Sequence, residues 1–267
     1  MSQGGDLTVA RTHRRRTHLH RCIAAATTAL IGLLVTHSIH AEETRVAVAA
    51  NFTGAAAEIG TRFEKATGYK VLFSFGSTGQ LFAQITQGAP FDVYLAADQA
   101  RPRKAIDEGY AVPGTRFTYA TGSIVLFSEN PRLVRGESTL RTGKFTRLAI
   151  ANPVTAPYGA AAVQAMKALD LYDALASRLV EGENIAQTYQ FVKTGNAEIG
   201  FVALSQVANG KKGSRWVVPR HLYAPISQDA VLLKRGADNP AARAFVEFLG
   251  GPQAREVKRR YGYGTGF

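Results

Sequence analysis

Four segments of the chain carry small hydroxyl or amide side chains immediately before a predicted helix. They are residues 49–54, 74–79, 152–159 and 181–186. The first turn of a helix leaves main-chain N–H groups without partners and carries partial positive charge, so anions bind there without a cationic side chain. The pattern predicts a site for an anion or a small polar molecule.

Each segment by itself is equally typical of an ordinary helix cap. Asn, Ser and Thr before a helix accept hydrogen bonds from its first turn and stabilise it by about 1 kcal/mol each. Two of the segments fall in each predicted half of the molecule, and in open α/β sheets such helix starts gather at the carboxyl edge of the strands. The residues therefore favour a polar ligand in a cleft and leave its identity open.

The chain carries no recognisable catalytic motif. It contains no Gly-x-Ser-x-Gly elbow, no P-loop and no His-Glu-x-x-His pair. Asp92 and Asp98 flank a predicted strand and can share a face, but aspartates at strand ends usually cap helices or turns. Residues 262–266 are rich in glycine, yet no helix follows them, which favours a flexible tail over a phosphate loop. These observations argue against an enzyme.

Alternating strands and helices must position the four segments. Strands are predicted at residues 45–50, 69–75, 92–97, 124–127, 148–151, 179–181, 199–203 and 230–233. Helices are predicted at residues 54–67, 80–87, 101–108, 159–169, 185–193, 240–249 and 252–261. The first helix has Ile59 and Phe63 on one face. Such alternation implies parallel pairing with right-handed crossovers, so we expect two α/β lobes with a cleft between them.

The first 41 residues are expected to be a secretory signal peptide. Five arginines precede a short apolar run at residues 23–35, and Ala41 stands before two glutamates. A membrane anchor is the alternative, but the run falls short of the roughly 20 apolar residues that span a bilayer. We therefore expect export to the periplasm with cleavage near Ala41.

Without this segment the chain has 27 Lys and Arg against 19 Asp and Glu, no Cys, and His221 as its one histidine. A multi-histidine or thiolate metal site is thereby excluded. The positive charge is scattered, with its densest cluster at residues 258–260, and this favours solvated surface over attraction of an anionic ligand. We expect no nucleic-acid partner.

At the four segments the sequence resembles the molybdate-binding substrate-binding proteins of ABC transporters, over about residues 46–263. The most specific stretches are Val-Ala-Ala-Asn-Phe-Thr at 48–53, Phe-Gly-Ser-Thr at 75–78, and residues 87–98 and 251–262. The resemblance implies an α/β, two-lobed periplasmic binding protein of the type II kind, with the ligand in the interlobe cleft. It implies two crossings between the lobes, with residues 42–122 and 227–267 in the first lobe and 123–226 in the second.

The resemblance also implies a tetrahedral dianion held by neutral donors, with no cofactor and no direct cation site. Many members place a ligand-binding tyrosine near position 203, where this chain has Ala203; Tyr158 would supply that hydroxyl from the opposite wall. Ser77 and Thr78 match one hydroxyl cluster, of which the main donor stays open. The implied ligand-binding residues are Asn51, Thr53, Ser77, Thr78, Tyr158 and Ile185.

The function implied is high-affinity extracytoplasmic binding of molybdate and tungstate, without catalysis, and delivery to the membrane permease of an ABC importer. Molybdate and tungstate nearly match in size, so the site should discriminate poorly between them. The alternative is the same fold binding another oxyanion, such as sulfate or phosphate, or a small organic acid.

Overall fold

The computed structural model describes residues 42–265. The predicted signal peptide at residues 1–41 lies outside these residues. Across the described part of the chain, we find no helix with the length and apolar character needed to cross a bilayer.

Ten strands and ten α-helices occur within the described residues. The strands are β1 (Glu43–Ala49), β2 (Lys70–Gly76), β3 (Val93–Leu95), β4 (Phe117–Gly122), β5 (Ile124–Ser128), β6 (Leu148–Ala151), β7 (Leu179–Gly182), β8 (Ile199–Ala203), β9 (Ser214–Val217) and β10 (Ile226–Leu232). The helices are α1 (Thr53–Thr67), α2 (Thr78–Thr86), α3 (Ala100–Asp107), α4 (Ser138–Thr142), α5 (Pro157–Ala168), α6 (Tyr172–Leu175), α7 (Ile185–Lys193), α8 (Leu204–Val207), α9 (Pro240–Gly250) and α10 (Pro252–Arg260). Strands β4 and β9 and the short helices α4, α6 and α8 were not predicted from the sequence.

The strands form two five-stranded sheets, each the centre of one lobe. The order is β2-β1-β3-β10-β4 in lobe 1 and β7-β6-β8-β5-β9 in lobe 2. The chain passes from the first sheet to the second after Gly122 and returns at Ile226, and these two residues are paired in the first sheet.

Both sheets are mixed, so the predicted parallel pairing holds for only part of each sheet. Strands β1, β2 and β3 pair in parallel, as do β6, β7 and β8. Strands β5 and β10 are antiparallel to their neighbours. Each of these two follows a crossing and leads the chain away from the cleft, whereas the parallel strands end at the cleft. The carboxyl edges of both sheets therefore face the cleft.

Helix α1 packs by the apolar face that its sequence predicts. Ile59 and Phe63 are fully buried in the lobe 1 core. The Phe63 ring meets that of Phe245 from α9 edge to face, with ring centroids 5.3 Å apart. This packing ties the C-terminal helices to the first lobe and is favourable for aromatic rings.

The C-terminal residues 262–264 pack against the first lobe, so the tail interpretation is wrong for them. Gly264 exchanges two 3.0 Å main-chain hydrogen bonds with Thr121, and Tyr263 is buried. A glycine-rich sequence gives no sign of such pairing, because the partner strand is far away in the chain.

Lys258 is buried, contrary to the interpretation of the basic cluster as solvated surface. Its Nζ donates to the main-chain oxygens of Tyr119 at 2.9 Å and Leu249 at 3.0 Å. The Leu249 oxygen lies in the last turn of α9, where a cation is favourable. Desolvation lowers the pKa of Lys258 to about 8, and repulsion from Arg255 adds to the effect.

This burial predicts a pH dependence of stability. Between pH 8 and 10.5 the unfolded chain keeps the Lys258 proton that the folded chain has lost, so the free energy of unfolding rises with pH. Urea unfolding at pH 7.5 and 9.5 should show about 2 kcal/mol of this rise in the wild type and none of it in Lys258→Met. Equal changes in the two proteins would contradict the assignment.

Candidate functional site

A small cavity lies between the two lobes at the carboxyl edges of their sheets. The space in it that a water molecule could occupy is about 10 Å³, far below the roughly 300–1,000 Å³ of pockets for drug-sized ligands. Five of the six predicted site residues line it: Asn51, Ser77, Thr78, Tyr158 and Ile185. The other lining residues are small, apolar or neutral: Ala49, Ala50, Gly76, Ala97, Ala156, Pro157 and Asn184. A narrow cavity with this uncharged, partly polar lining suits a small polar ligand.

All four predicted helix starts meet at this cavity. A short 3₁₀ helix at Ala50–Phe52 follows β1, α2 follows β2, α5 follows β6 and α7 follows β7. Two of the starts come from each lobe. Their partial positive charges therefore converge on the same small space from both sides.

Side-chain caps leave the first amide of two of these helices for another acceptor. Asn184 Oδ1 accepts from the amides of Ala186 at 2.9 Å and Gln187 at 3.1 Å, which are the second and third of α7. The first amide, that of Ile185, has no acceptor within its own helix. Ser77 caps α2 in the same way, through a longer 3.4 Å bond from the Gln80 amide.

Ser77 and Thr78 have different surroundings, although both are buried. Thr78 Oγ1 accepts from the Ala97 amide at 3.0 Å, and the Thr78 carbonyl accepts from the Tyr94 hydroxyl at 2.7 Å. Thr78 thus ties α2 to the end of β3. Ser77 Oγ accepts the long capping bond, so each of the two hydroxyls accepts one main-chain hydrogen bond and keeps its own proton for a further acceptor.

Tyr158 reaches across the cleft from lobe 2 to lobe 1. Its hydroxyl oxygen accepts from Gln228 Nε2 at 3.1 Å and lies 3.4 Å from Asn51 Nδ2. Burial raises the pKa of the Tyr158 hydroxyl well above its ordinary value. The hydroxyl therefore keeps its proton at physiological pH and remains a donor.

Sequence reasoning missed a buried polar network behind the cavity wall. Asn51 Nδ2 donates to Gln228 Oε1 at 2.8 Å and to the Tyr263 hydroxyl at 3.0 Å, while the Tyr119 hydroxyl lies 3.1 Å from Gln228 Oε1. A signal was present in the run Ile-Ser-Gln-Asp-Ala-Val-Leu at 226–232, where two polar residues interrupt an apolar strand. Buried polar groups of this kind need partners and so mark networks.

The structure places Thr53 and Ala203 outside the cavity lining. The Thr53 hydroxyl donates to the Ala50 carbonyl at 2.9 Å and supports the turn into α1. Ala203 is fully buried at the end of β8. The tyrosine that does line the cavity is Tyr158, on the other wall.

The two aspartates considered for catalysis serve the fold. Asp92 accepts from the Arg45 amide at 2.8 Å and pairs with Arg235. Asp98 accepts from the Arg101 amide in the first turn of α3 at 2.9 Å and pairs with the Arg101 side chain. Within residues 42–265, we find no group of three or more His, Cys, Asp or Glu placed to hold a metal ion.

The mixed sheets, the two crossings and the neutral cavity place the chain in the class of the two-lobed periplasmic binding proteins. The model of the bacterial extracellular solute-binding protein family matches residues 44–264. The molybdate-binding protein ModA of Rhodobacter capsulatus is 52% identical over 84% of this chain and 89% of its own length. ModA of Azotobacter vinelandii is 55% identical over 86% of this chain and 93% of its own.

A solved structure agrees with these relatives. The periplasmic molybdate-binding protein of Azotobacter vinelandii matches with a TM-score of 0.81 at 39% identity, and the match covers 84% of this chain and 100% of that one. The chain therefore belongs to the bacterial extracellular solute-binding proteins, in the family of the ModA molybdate-binding proteins.

Proposed function

We propose that this protein binds molybdate, and tungstate equally well, outside the cytoplasm and delivers it to an ABC importer. The observation that carries the proposal is the convergence of four helix starts from both lobes on one small cavity without a charged lining residue. The printed function of the relatives at 52–55% identity supports molybdate in particular. These relatives do not favour the alternative ligands, which were sulfate, phosphate or an organic acid.

The proposed donors are two hydroxyls and several main-chain amides. Ser77 and Tyr158 would donate through their hydroxyls, and Asn51, Thr78 and Ile185 through their N–H groups. Because the Asn51 side chain is engaged in the buried network, its main chain is the donor that faces the ligand. Thr53 is left out, since its hydroxyl donates to Ala50.

The binding free energy expected from these donors is sufficient for a high-affinity receptor. A hydrogen bond to a charged acceptor contributes roughly 1.5–3 kcal/mol. Five to seven such bonds reach sub-micromolar affinity after association costs of about 4–15 kcal/mol. Cavity size and the fixed donors, rather than a salt bridge, would then select the ion, and the smaller sulfate would leave donors stretched.

Several further assignments complete the proposal. Residues 1–41 would direct export and be removed near Ala41, which would place the binding protein in the periplasm. Residues 42–122 and 227–267 would move as one lobe and 123–226 as the other, and closure would create the surface that the permease recognises. No catalytic step is assigned.

Calorimetry of the purified, ligand-stripped protein tests the proposed function. Molybdate and tungstate should bind with sub-micromolar Kd, and sulfate at least 100-fold more weakly. The proposal fails if molybdate gives no binding heat, or if sulfate matches it.

We expect Arg101 to stabilise the closed arrangement of the two lobes without contacting the ligand. Its Nη2 donates to the Val154 carbonyl across the cleft at 2.9 Å, next to a 2.9 Å bond from the Gly79 amide to the Thr155 carbonyl. Loss of one such bond should release molybdate about 5-fold faster in Arg101→Ala, by stopped-flow measurement. Arg103→Ala removes an exposed charge from the same helix and should leave the release rate unchanged. An equal rate in the wild type and Arg101→Ala would exclude this role.

A further inference from the structure

We propose that Gln228 determines the direction of the Tyr158 hydroxyl proton and so makes the site select anions that carry no proton. This inference rests on the proposed function and adds to it a residue outside the cavity lining. Gln228 is fully buried on β10 of lobe 1, and its side chain contacts Tyr158 of lobe 2 and Asn51 of lobe 1.

The donors and acceptors of this hydrogen-bond network can be assigned in order, starting from the Tyr263 hydroxyl. Its hydroxyl lies 2.7 Å from the Asn51 main-chain oxygen, which can only accept, so the hydroxyl donates there. The Asn51 side-chain atom 3.0 Å from the same hydroxyl must then be the nitrogen, because a second acceptor would face the Tyr263 oxygen without a proton between them. The orientation of the Asn51 amide follows.

The orientation of Asn51 determines that of Gln228. Asn51 Nδ2 lies 2.8 Å from the Gln228 side chain, so the Gln228 atom at that position is the oxygen. The Tyr119 hydroxyl lies 3.1 Å from the same oxygen and 3.2 Å from the Ala96 carbonyl, so its single proton is shared between two acceptors and the Asn51 contact alone assigns the Gln228 amide. Gln228 Nε2 is therefore the atom directed at the Tyr158 hydroxyl, at 3.1 Å.

The Tyr158 oxygen consequently accepts a hydrogen bond from behind the cavity wall, and in the proposed arrangement its single proton is directed at the ligand. The Ser77 hydroxyl has the same arrangement as that of Tyr158, because its oxygen accepts from the Gln80 amide. With main-chain amides as the remaining donors, the cavity presents protons only. A fully ionised molybdate satisfies all of them, whereas hydrogen phosphate would direct its own proton at another donor.

A double-mutant cycle with molybdate as the probe tests whether Gln228 acts through Tyr158. Gln228→Met, which has similar volume and no amide, should weaken molybdate binding about 10-fold in the wild-type background. In the Tyr158→Phe background the same change should alter the Kd less than 2-fold. An equal effect in both backgrounds would overturn the proposal. Absence of molybdate binding in the wild type would instead overturn the proposed function.

A second measurement addresses selectivity and does not depend on the folding of Gln228→Met. Gln228→Glu keeps the side-chain shape but offers an acceptor to Tyr158, which would then turn its proton away from the cavity. The ratio of molybdate to phosphate affinity, from competition calorimetry, should fall at least 10-fold. Gln164→Glu adds the same charge on α5, where Gln164 accepts from the Ala224 amide, and should preserve the ratio. A ratio unchanged in Gln228→Glu would contradict the inference.

Discussion

Gly122→Ala is expected to weaken molybdate binding at least 100-fold while both lobes still fold. An added Cβ would overlap the Tyr158 hydroxyl oxygen and lie 2.8 Å from Tyr158 Cζ and 2.7 Å from Gln228 Nε2. Gly122 ends β4 in lobe 1, whereas Tyr158 belongs to lobe 2. Opening of the lobes relieves the overlap with Tyr158, so the change should penalise the closed, ligand-holding state more than the fold.

Calorimetry and thermal unfolding of the ligand-free protein together measure this effect. Gly250→Ala is the matched control, because an added Cβ at Gly250 meets no atom within 4 Å. The control should bind molybdate like the wild type, and Gly122→Ala should unfold within a few degrees of the wild type without ligand. Wild-type affinity in Gly122→Ala would show that the Tyr158 hydroxyl has no part in binding.

Ser77→Ala and Tyr158→Phe should each weaken molybdate binding by about 10–100-fold, since each removes one hydrogen bond to a charged acceptor. The two hydroxyls approach the cavity from opposite lobes, so the double variant should lose nearly the product of the two effects. Titration calorimetry of the three variants gives the comparison.

Thr53→Ala provides the control for the loss of a hydroxyl close to the site. The Thr53 hydroxyl donates to a main-chain oxygen and does not line the cavity, so its removal should change the Kd less than 2-fold. If Ser77→Ala and Tyr158→Phe both bind as tightly as Thr53→Ala, the assignment of the donors is wrong, although the family is not.

The sequence was sufficient to predict the helix starts of the site because they are local features. A cap such as Asn184 and the amides that follow it lie within four residues of one another, and the topology of α/β sheets brings such starts to one edge. The prediction that these segments meet is confirmed, and five of the six predicted site residues line the cavity. Whether they bind the ligand stays a prediction.

What the sequence did not predict depends on pairs that are distant in the chain. Asn51 contacts Gln228 and Tyr263 over 177 and 212 residues, and no local pattern relates them. The same holds for Lys258, whose buried partner is the Tyr119 carbonyl 139 residues away. The antiparallel course of β5 and β10 also follows from where the chain crosses, which alternation of strands and helices does not reveal.

The central claim is that uncharged donors from both lobes are sufficient to hold a doubly negative oxyanion. The most direct test is a crystal structure of the molybdate-loaded protein with anomalous data at the molybdenum edge. We expect one strong peak between Ser77, Tyr158 and the amides of Asn51 and Ile185, with no lysine or arginine nitrogen in contact. A peak outside this cavity, or an ion held chiefly by cationic side chains, would contradict it.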